Sequence, residues 1–251
     1  MKTAIITGGN GGLGRALAHG LQAEGWHTVL LDIDVTRLAA NAQQTPIQLD
    51  LTDAQALSKA ATDITAARPS IDLVIYNAGI TQIGAFAETP DTTHRAVFEI
   101  NYFAAVNLVR AMAEPLRKSR GTHLAISSVA GFSPLWHRTA YAASKHALQG
   151  FFTSLRSEEA PFGVRTVIAA PSFVATNIGN AERRADGIAR PGSASDGVDY
   201  MSPDAAAAVI LRGLNKRRDF IPVGRVAHLS WWLNRLSPTL FQRLMERKIR
   251  R

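Results

Sequence analysis

Tyr141 and Lys145 stand four residues apart in an alanine-containing segment and pair a phenol with an ammonium group. Residues with this spacing on a helix lie on one face, about one turn apart. An ammonium group there can stabilise a phenolate and lower a phenol pKa that is ordinarily about 10. The pair could therefore transfer a proton near neutral pH as a general acid or base. The same spacing also occurs on ordinary helix surfaces. Whether the pair is catalytic must therefore be judged from the other motifs in the chain.

A glycine-rich turn at residues 7–14, with the sequence TGGNGGLG, is the second candidate site. It lies between a predicted strand and a predicted helix, as a dinucleotide-binding turn requires. Glycines there permit a tight turn and a close approach of the backbone to a pyrophosphate, while the helix N-terminus supplies free N–H groups. We therefore predict that a dinucleotide binds at this turn. The expected contacts are Gly8, Asn10, Gly12, Leu13 and Gly14.

Asp32 ends the second predicted strand and could select the cofactor. A carboxylate at this place can accept both hydroxyls of the adenosine ribose and would repel a 2′-phosphate. A strand-end aspartate can also be merely solvated. The next residue is Ile33, so no adjacent basic side chain would welcome a phosphate. The pattern favours NAD, while Arg15 and Arg37 lie near in sequence and leave NADP open.

The elements that would position these residues follow from an alternation of short β-branched segments with longer helical ones. The predicted strands are Thr3–Thr7, His27–Asp32, Ile47–Asp50, Leu73–Asn77, Thr122–Ser127, Arg165–Ala170 and Phe220–Val223. The predicted helices are Leu13–Glu24, Ala54–Ala67, Thr92–Lys118, Ala140–Glu159 and Pro203–Asn215. This alternation predicts an α/β fold with a parallel sheet of about seven strands that is covered on both faces. No linker divides residues 1–224, so we expect one domain there.

Charge and composition exclude several classes of protein. Residues 1–211 hold 17 Lys/Arg against 18 Asp/Glu, whereas residues 212–251 hold 11 against two. A neutral body without a recognisable binding motif argues against nucleic-acid binding. The chain has no cysteine, and its seven histidines are scattered, so we predict neither disulfides nor a metal site. Because the N-terminal residues run straight into a strand, we expect no signal peptide and a cytoplasmic location.

Taken in order, these motifs resemble the short-chain dehydrogenase/reductase family, from about residue 3 to residue 224. The glycine-rich turn matches that family's cofactor turn, and Asp50-Leu51 resembles its adenine-contacting pair. Residues 77–79 (NAG) match its Asn-Ala-Gly signature, and residues 171–176 (PSFVAT) resemble its segment beside the nicotinamide. The resemblance implies a Rossmann-type, doubly wound sheet. The further cofactor contacts that it implies are Asp50, Leu51, Asn77, Ala78, Gly79, Tyr141, Lys145, Val174 and Thr176.

The resemblance also implies a catalytic set, formed by Asn101, Ser128, Tyr141 and Lys145. Tyr141 would be the general acid or base, with its pKa lowered by Lys145, which would also bond the nicotinamide ribose. Ser128 would donate to the substrate oxygen, and Asn101 would hold a water that links Lys145 to solvent. From the residues alone, Ser128 could instead cap a loop, and Asn101 could bond only backbone. Two positions depart from the family pattern: Tyr76, expected to repack the wall beside the adenine, and Ser172, expected to restrict the backbone near the nicotinamide.

The substrate side is predicted to be apolar, with a flap at about residues 177–202. Phe132 and Leu135 lie between the catalytic serine and tyrosine, in a segment that faces the substrate in relatives. His137 and Arg138 could equally belong to a surface loop. A hydrophobic alcohol or ketone is therefore expected. The residues predicted to bind it are Ser128, Trp136, Tyr141 and Phe173.

The segment 225–251 is predicted to form a basic amphipathic helical extension. One helix, Ala227–Leu236, would carry apolar residues on one face, and Ser237-Pro238 would start a second. The apolar residues are Leu229, Trp232, Leu233 and Leu236 in the first helix, and Leu240, Phe241, Leu244, Met245 and Ile249 in the second, opposite Arg243, Arg247 and Arg250. Such a pair suits an anionic membrane surface, a partner subunit, or a lid over the chain's own cleft.

The sequence therefore predicts an NAD-preferring oxidoreductase that acts on the hydroxyl or carbonyl of an apolar substrate. We expect a homodimer or homotetramer, with peripheral membrane contact through 225–251 as one role of the extension. The alternative is a non-catalytic NAD(H)-binding regulator or scaffold. The intact Asn-Ser-Tyr-Lys set argues against that alternative, because a non-catalytic protein has no physical need for all four residues.

Overall fold

Seven parallel strands form the central sheet in a computed structural model, which describes residues 1–176, 184–190, 192 and 200–249. The strands are β1 (Thr3–Thr7), β2 (His27–Asp32), β3 (Gln44–Gln48), β4 (Leu73–Tyr76), β6 (Thr122–Ile126), β7 (Arg165–Pro171) and β9 (Phe220–Val223). Their order across the sheet is β3-β2-β1-β4-β6-β7-β9, and every neighbouring pair is parallel. Two short strands, β5 (Thr81–Gln82) and β8 (Ile188–Ala189), pair antiparallel outside this sheet. The predicted seven-stranded parallel sheet is confirmed.

Helices cover both faces of the sheet. They are α1 (Gly12–Ala23), α2 (Ala54–Ala67), α3 (Asp91–Phe98), α4 (Ala104–Ser119), α5 (Thr139–Glu159), α6 (Pro203–Asn215), α7 (Arg225–Leu236) and α8 (Pro238–Ile249). Alternate residues of β1 point to opposite faces, as strand geometry requires. Ile5 joins a core with α2, α4 and α5, whereas Ile6 joins a second core with α1 and α6. The fold is therefore doubly wound, as predicted.

The third strand begins earlier than predicted. The sequence pattern places it at Ile47–Asp50, yet β3 spans Gln44–Gln48 and includes Pro46. Proline removes a backbone donor and argues against a central strand. Because β3 is the outermost strand on its side, Pro46 needs no second neighbour and the strand tolerates it.

The predicted helix Thr92–Lys118 is interrupted. Residues Glu99–Phe103 form a π-helical turn between α3 and α4, and the only buried side chain of that turn is Asn101. A π-turn inserts a residue into the helical repeat and occurs often at functional sites. The buried Asn101 bonds to residues that are distant in the sequence. Local helix propensity therefore could not predict the π-helical turn.

The strand order creates a cleft at the carboxyl ends of the strands. The chain winds from β1 to β3 on one side and from β4 to β9 on the other, so β1 and β4 are adjacent at the reversal. Ligands of open α/β sheets bind at such a reversal. The glycine-rich turn follows β1, and residues 77–79 follow β4, so both lie at this cleft.

The C-terminal extension consists of α7 and α8, which pack against each other. The predicted assignments of the Met245, Arg247, Ile249 and Arg250 side chains lie outside the described residues, as does most of the predicted flap at 177–202. No helix among the described residues has the length and apolar character needed to cross a membrane.

Replacing Gly14 tests the packing of α1 against the glycine-rich turn. A Cβ added at Gly14 would overlap the carbonyl oxygen of Gly8, a backbone atom that cannot rotate away. We expect Gly14→Ala to lower the free energy of unfolding by about 2–3 kcal/mol, measured by urea denaturation. Gly150→Ala is the matched control, because no described atom lies within 4 Å of its added Cβ. That variant should gain up to about 1 kcal/mol from helix propensity, and equal effects of the two would contradict the packing.

Candidate active site

One cavity of about 440 Å³ lies at the carboxyl ends of the central strands and brings both candidate sites together. The glycine-rich turn, Asp32, Ser128, Tyr141 and Lys145 all line it. Every residue predicted for cofactor, substrate or catalysis lines this cavity except Gly14, Asn101 and Trp136. Residues that are far apart in the sequence therefore meet in one cavity, as expected. The three exceptions are described separately below.

Hydrogen bonds between the ends of β1 and β4 fix the glycine-rich turn. The Asn77 amide donates from Nδ2 to the carbonyl oxygens of Thr7 (3.0 Å) and Gly8 (3.1 Å). In return, Thr7 Oγ1 accepts from the backbone N–H groups of Asn77 (2.9 Å) and Ala78 (3.0 Å). Gly8 has a φ of +65°, a left-handed conformation that favours glycine. Asn77 thus acts as a brace for the turn as well as a cavity residue.

The N-terminus of α1 is suited to an anion. Its cap residue is Gly11, and none of the described side chains caps it; the first turn carries no acidic residue. The free N–H groups and the helix dipole therefore face the cavity without a competing acceptor. A Cβ at Gly12 would contact the Thr176 side chain at 3.3 Å, so glycine keeps this wall clear. These features fit the pyrophosphate of a dinucleotide.

Asp32 combines a structural contact with a place in the cavity. Its Oδ2 accepts from the backbone N–H of Asn10 at 2.9 Å, and its Oδ1 accepts from that of Asp34 at 3.2 Å. The carboxylate is therefore held beside the glycine-rich turn, where an adenosine ribose would lie next to an α1-bound pyrophosphate. Nearby, Asp50 accepts from the Thr52 N–H and hydroxyl and lines the same end of the cavity.

Tyr141 lies at the other end of the cavity with Ser128. Burial raises the pKa of the Tyr141 phenol, while a hydrogen bond with the Ser128 side chain and the charge of Arg138 lower it. Ser128 also caps the short helix Val129–Gly131 by accepting from the Ala130 N–H at 3.1 Å. The loop-cap role and the cavity role of Ser128 therefore coexist.

The Lys145 ammonium group is held by a backbone carbonyl group of β6. Its Nζ donates to the carbonyl oxygen of Ile126 at 2.9 Å and lies 5.9 Å from the centre of the Tyr141 ring. Burial lowers the pKa of Lys145 to about 8, and Lys145 is not among the causes that shift the pKa of Tyr141. In the protein alone, desolvation thus dominates both groups and favours their neutral forms.

Asn101 lies behind the cavity and connects its two halves. Its Oδ1 accepts from the Ile80 N–H at 2.8 Å, and its Nδ2 donates to the Ile80 carbonyl oxygen at 2.9 Å and to Ser144 Oγ at 2.9 Å. Ser144 Oγ in turn donates to the Tyr141 carbonyl oxygen at 2.8 Å. Asn101 therefore ties the segment after β4 to helix α5. The sequence left two roles open for Asn101, which were bonding to backbone and holding a water beside Lys145. Its bonds to Ile80 match the first role, and its buried position next to Gly79 is compatible with the second.

Gln82 is a positioning residue that sequence reasoning missed. Its side chain is fully buried, and its Oε1 accepts from the Ala140 N–H at 3.3 Å, in the first turn of α5. Its Nε2 donates to the Gly84 carbonyl oxygen and to Thr89. Gln82 thereby fixes the start of the helix that carries Tyr141. The only signal in the sequence is a glutamine in an apolar neighbourhood, which does not specify a partner 58 residues away.

The substrate end differs from prediction at Trp136, and at Arg138 it decides between two alternatives that the sequence left open. The Trp136 side chain is 58% exposed, stacks on His137 and does not line the cavity. Arg138, which could have belonged to a surface loop, is buried and does line it. Its Nη1 donates to the His137 carbonyl oxygen at 3.2 Å. Leu135 and Phe173 supply the expected apolar wall.

The two departures from the family pattern have different consequences. Tyr76 points into the core, where its hydroxyl bonds His123 Nδ1 at 2.7 Å and its ring packs against Phe152. It does not form the wall beside the adenine end that was predicted. Ser172 lines the cavity and donates from Oγ to the Val223 carbonyl oxygen at 3.2 Å, which turns its hydroxyl towards β9.

Together, the doubly wound sheet and a cavity shared by a glycine-rich turn and a Ser-Tyr-Lys set define a nucleotide-binding α/β protein of the oxidoreductase type. A family model described as short chain dehydrogenase matches residues 2–187. The chain therefore belongs to the short-chain dehydrogenase/reductase family, as the resemblance predicted.

Similar proteins cover nearly the whole chain. Dehydrogenase/reductase SDR family member 7B of Xenopus laevis is 32% identical over 263 residues, which cover 98% of this chain and 81% of that protein. The crystal structure of a short-chain dehydrogenase from Streptomyces avermitilis aligns with a TM-score of 0.82 at 28% identity and covers 100% of this chain and 99% of that one. A short-chain dehydrogenase from Burkholderia cenocepacia, solved with NADP, has a TM-score of 0.84 at 22% identity, with coverage of 97% and 96%. At that identity the likeness shows the fold alone.

The effect of the Arg138 charge on the Tyr141 pKa can be tested by titrating the phenol. Because Arg138 lowers the pKa of the phenol, Arg138→Gln should raise that pKa and shift phenolate formation to higher pH, by up to about one pH unit. The readout is the ultraviolet tyrosinate titration, taken as the difference from the same protein carrying Tyr141→Phe. Arg138→Lys keeps the charge and is the matched control. An unchanged titration in Arg138→Gln would exclude this electrostatic effect.

Proposed function

We propose that the protein transfers a hydride between a nicotinamide dinucleotide and the hydroxyl or carbonyl group of a mostly apolar alcohol or ketone. The observation that carries this proposal is the shared cavity, in which Ser128 and Tyr141 face the same space as the glycine-rich turn. A phenol that titrates beside a dinucleotide cradle is what proton-coupled hydride transfer requires of the protein.

The residues have separate roles in this proposal. When bound, the nicotinamide supplies the hydride acceptor or donor. Tyr141 takes the proton from a substrate hydroxyl in oxidation and returns it to a carbonyl oxygen in reduction. Ser128 donates a hydrogen bond to the same substrate oxygen and holds it within reach of the phenol. Burial raises the pKa of Tyr141, so the phenol is protonated at neutral pH, the form that can donate to a carbonyl.

Lys145 and Asn101 support this proton transfer. With a pKa of about 8, Lys145 is still mostly protonated at neutral pH, and its charge favours the phenolate when the proton leaves. Its bond to the Ile126 carbonyl keeps the ammonium on the Tyr141 side of the cavity. Asn101 acts through Ile80 and Ser144 as a positioning residue, and the water that it was predicted to hold remains part of the proposal.

The cofactor is a nicotinamide dinucleotide, and NAD is preferred over NADP. The carboxylate of Asp32 is fixed beside the turn by Asn10, where its charge would oppose a 2′-phosphate. Arg190 also lines the cavity and places a cation in the same space. The preference therefore depends on the balance between this aspartate and the neighbouring basic side chains.

The substrate fits a cavity wall that is apolar at Leu135 and Phe173 and charged at Arg138. The predicted substrate contact of Trp136 has no support from its exposed position, so Leu135 takes its place in the proposal. A cytoplasmic location and a homodimeric or homotetrameric assembly stay predictions. If the protein binds NADH but turns over no compound, the alternative of a non-catalytic NAD(H)-binding regulator would be favoured.

Replacing the phenol tests the reaction. Tyr141→Phe should lower turnover by about 10²–10⁴-fold, because no other group in its place can move the proton, while cofactor affinity stays nearly unchanged. Nicotinamide absorbance with a panel of alcohols and ketones measures turnover, and fluorescence titration with NADH measures binding. Tyr102→Phe makes the same substitution outside the cavity and should be neutral. Normal turnover by Tyr141→Phe would exclude the assigned role, and NADH binding without wild-type turnover of any compound would favour the regulator.

Replacing the carboxylate tests the cofactor preference. Asp32→Asn removes the charge but keeps an oxygen that can accept from the Asn10 N–H. The ratio of kcat/KM for NADP to that for NAD should rise by about tenfold, which corresponds to one lost charge repulsion of about 1.4 kcal/mol. Asp50→Asn, a second aspartate lining the cavity, is the matched control. An unchanged ratio in Asp32→Asn would show that Asp32 does not select the cofactor.

A further inference from the structure

Large apolar side chains are concentrated on the exposed faces of α7 and α8. Leu229, Trp232 and Leu236 follow the spacing i, i+3, i+7, which places them on one face of α7. Five of the eleven large apolar residues exposed in the described part of the chain lie in these two helices. They are Leu229 (69% exposed), Trp232 (62%), Leu236 (78%), Leu240 (46%) and Leu244 (44%). Several large apolar side chains exposed on neighbouring helices indicate an interaction surface.

Helix α7 packs against the body through residues other than Leu229, Trp232 and Leu236, and α8 packs against α7. Trp231 stacks on Phe220 of β9 with ring centres 3.9 Å apart. Asn234 donates from its side-chain amide to the Phe132 carbonyl oxygen. Phe241 of α8 is 6% exposed. The exposed apolar residues of α7 are therefore held in place by contacts that other residues of the helix make.

Helix α7 and the described side chains of α8 lie outside the cavity. None of the described residues of α7 or α8 lines it. Instead, α7 contacts the short helix Val129–Gly131, which begins directly after Ser128. Helix α7, which carries the exposed apolar side chains, therefore lies beside the start of the loop that leads from Ser128 to Tyr141.

The charge of the extension distinguishes between partners. Residues 225–251 contain seven Lys/Arg and one Glu. Arg225, Arg235 and Arg243 of these two helices are exposed, and Arg235 lies over the Trp231 ring. A symmetric dimer through these helices would place two such basic segments against each other, because the same patch lies on both sides of a two-fold axis. An anionic lipid surface complements the charge and also accepts the leucine and tryptophan side chains.

We propose that α7 and α8 form a docking surface for an anionic lipid membrane. Leu229, Trp232 and Leu236 enter the boundary between headgroups and acyl chains, and the exposed arginines of the two helices contact lipid phosphates. Docking in this orientation brings the loop beside Ser128 close to the lipid, from which an apolar compound could reach the cavity. The surface does not depend on the proposed reaction.

Vesicle co-sedimentation of the full chain tests this surface. The wild-type protein should bind vesicles of phosphatidylcholine and phosphatidylserine about tenfold more strongly than vesicles of phosphatidylcholine alone, and salt should weaken the binding. The double variant Trp232→Ser/Leu236→Ser should lose binding by about tenfold or more. Both replaced side chains are exposed, so NADH binding by this variant reports that the fold is intact.

Phe86→Ser is the matched control, since Phe86 is 69% exposed and lies outside the extension. It should bind vesicles like the wild type. Sedimentation velocity of the double variant should show an unchanged oligomeric state. Equal vesicle binding by the wild type and the double variant would overturn the proposal. So would dissociation of an oligomer in the double variant, which would identify the face as a contact between copies of the chain.

Discussion

The side-chain amide of Asn101 is the interaction on which the site depends. Both backbone groups of Ile80 and the hydroxyl of Ser144 bond to it, so the segment after β4 and helix α5 share one buried support. The cofactor side of the cavity and the Tyr141 side therefore cannot move independently without breaking buried hydrogen bonds, which are costly to leave unmade. The π-helical turn is the local distortion that aims Asn101 at these partners.

Desolvation sets the electrostatics of this arrangement. It raises the pKa of Tyr141 and lowers that of Lys145 to about 8. Burial therefore favours the protonated phenol and opposes formation of the phenolate. The hydrogen bond of Ser128 and the charge of Arg138 lower the phenol pKa, so these two neighbours, and not the lysine one turn away, counter the effect of burial.

Much of the fold followed from local patterns, because β-branched strands and alanine-rich helices alternate with little ambiguity. Asp32 could also be predicted from its place at the end of a strand that follows the glycine-rich turn, whereas Asn77 was expected from the family resemblance. Contacts between distant segments could not be predicted. The bond from Gln82 in β5 to the start of α5 and the position of Arg138 in the cavity depend on contacts between distant segments, which no periodicity encodes. The prediction that Trp136 binds substrate failed for a similar reason, because an apolar side chain in a loop can point into a cavity or into solvent.

The two outer strands of the sheet limit association of the protein through the edges of the sheet. Both β3 and β9 contain a proline, Pro46 in the first and Pro222 in the second, and these two strands are the rims of the seven-stranded sheet. A proline offers no N–H to an incoming strand, so neither rim presents an unbroken ladder for another polypeptide to extend. The molecule is thereby protected on both flanks against the edge-to-edge association that leads parallel sheets into aggregates.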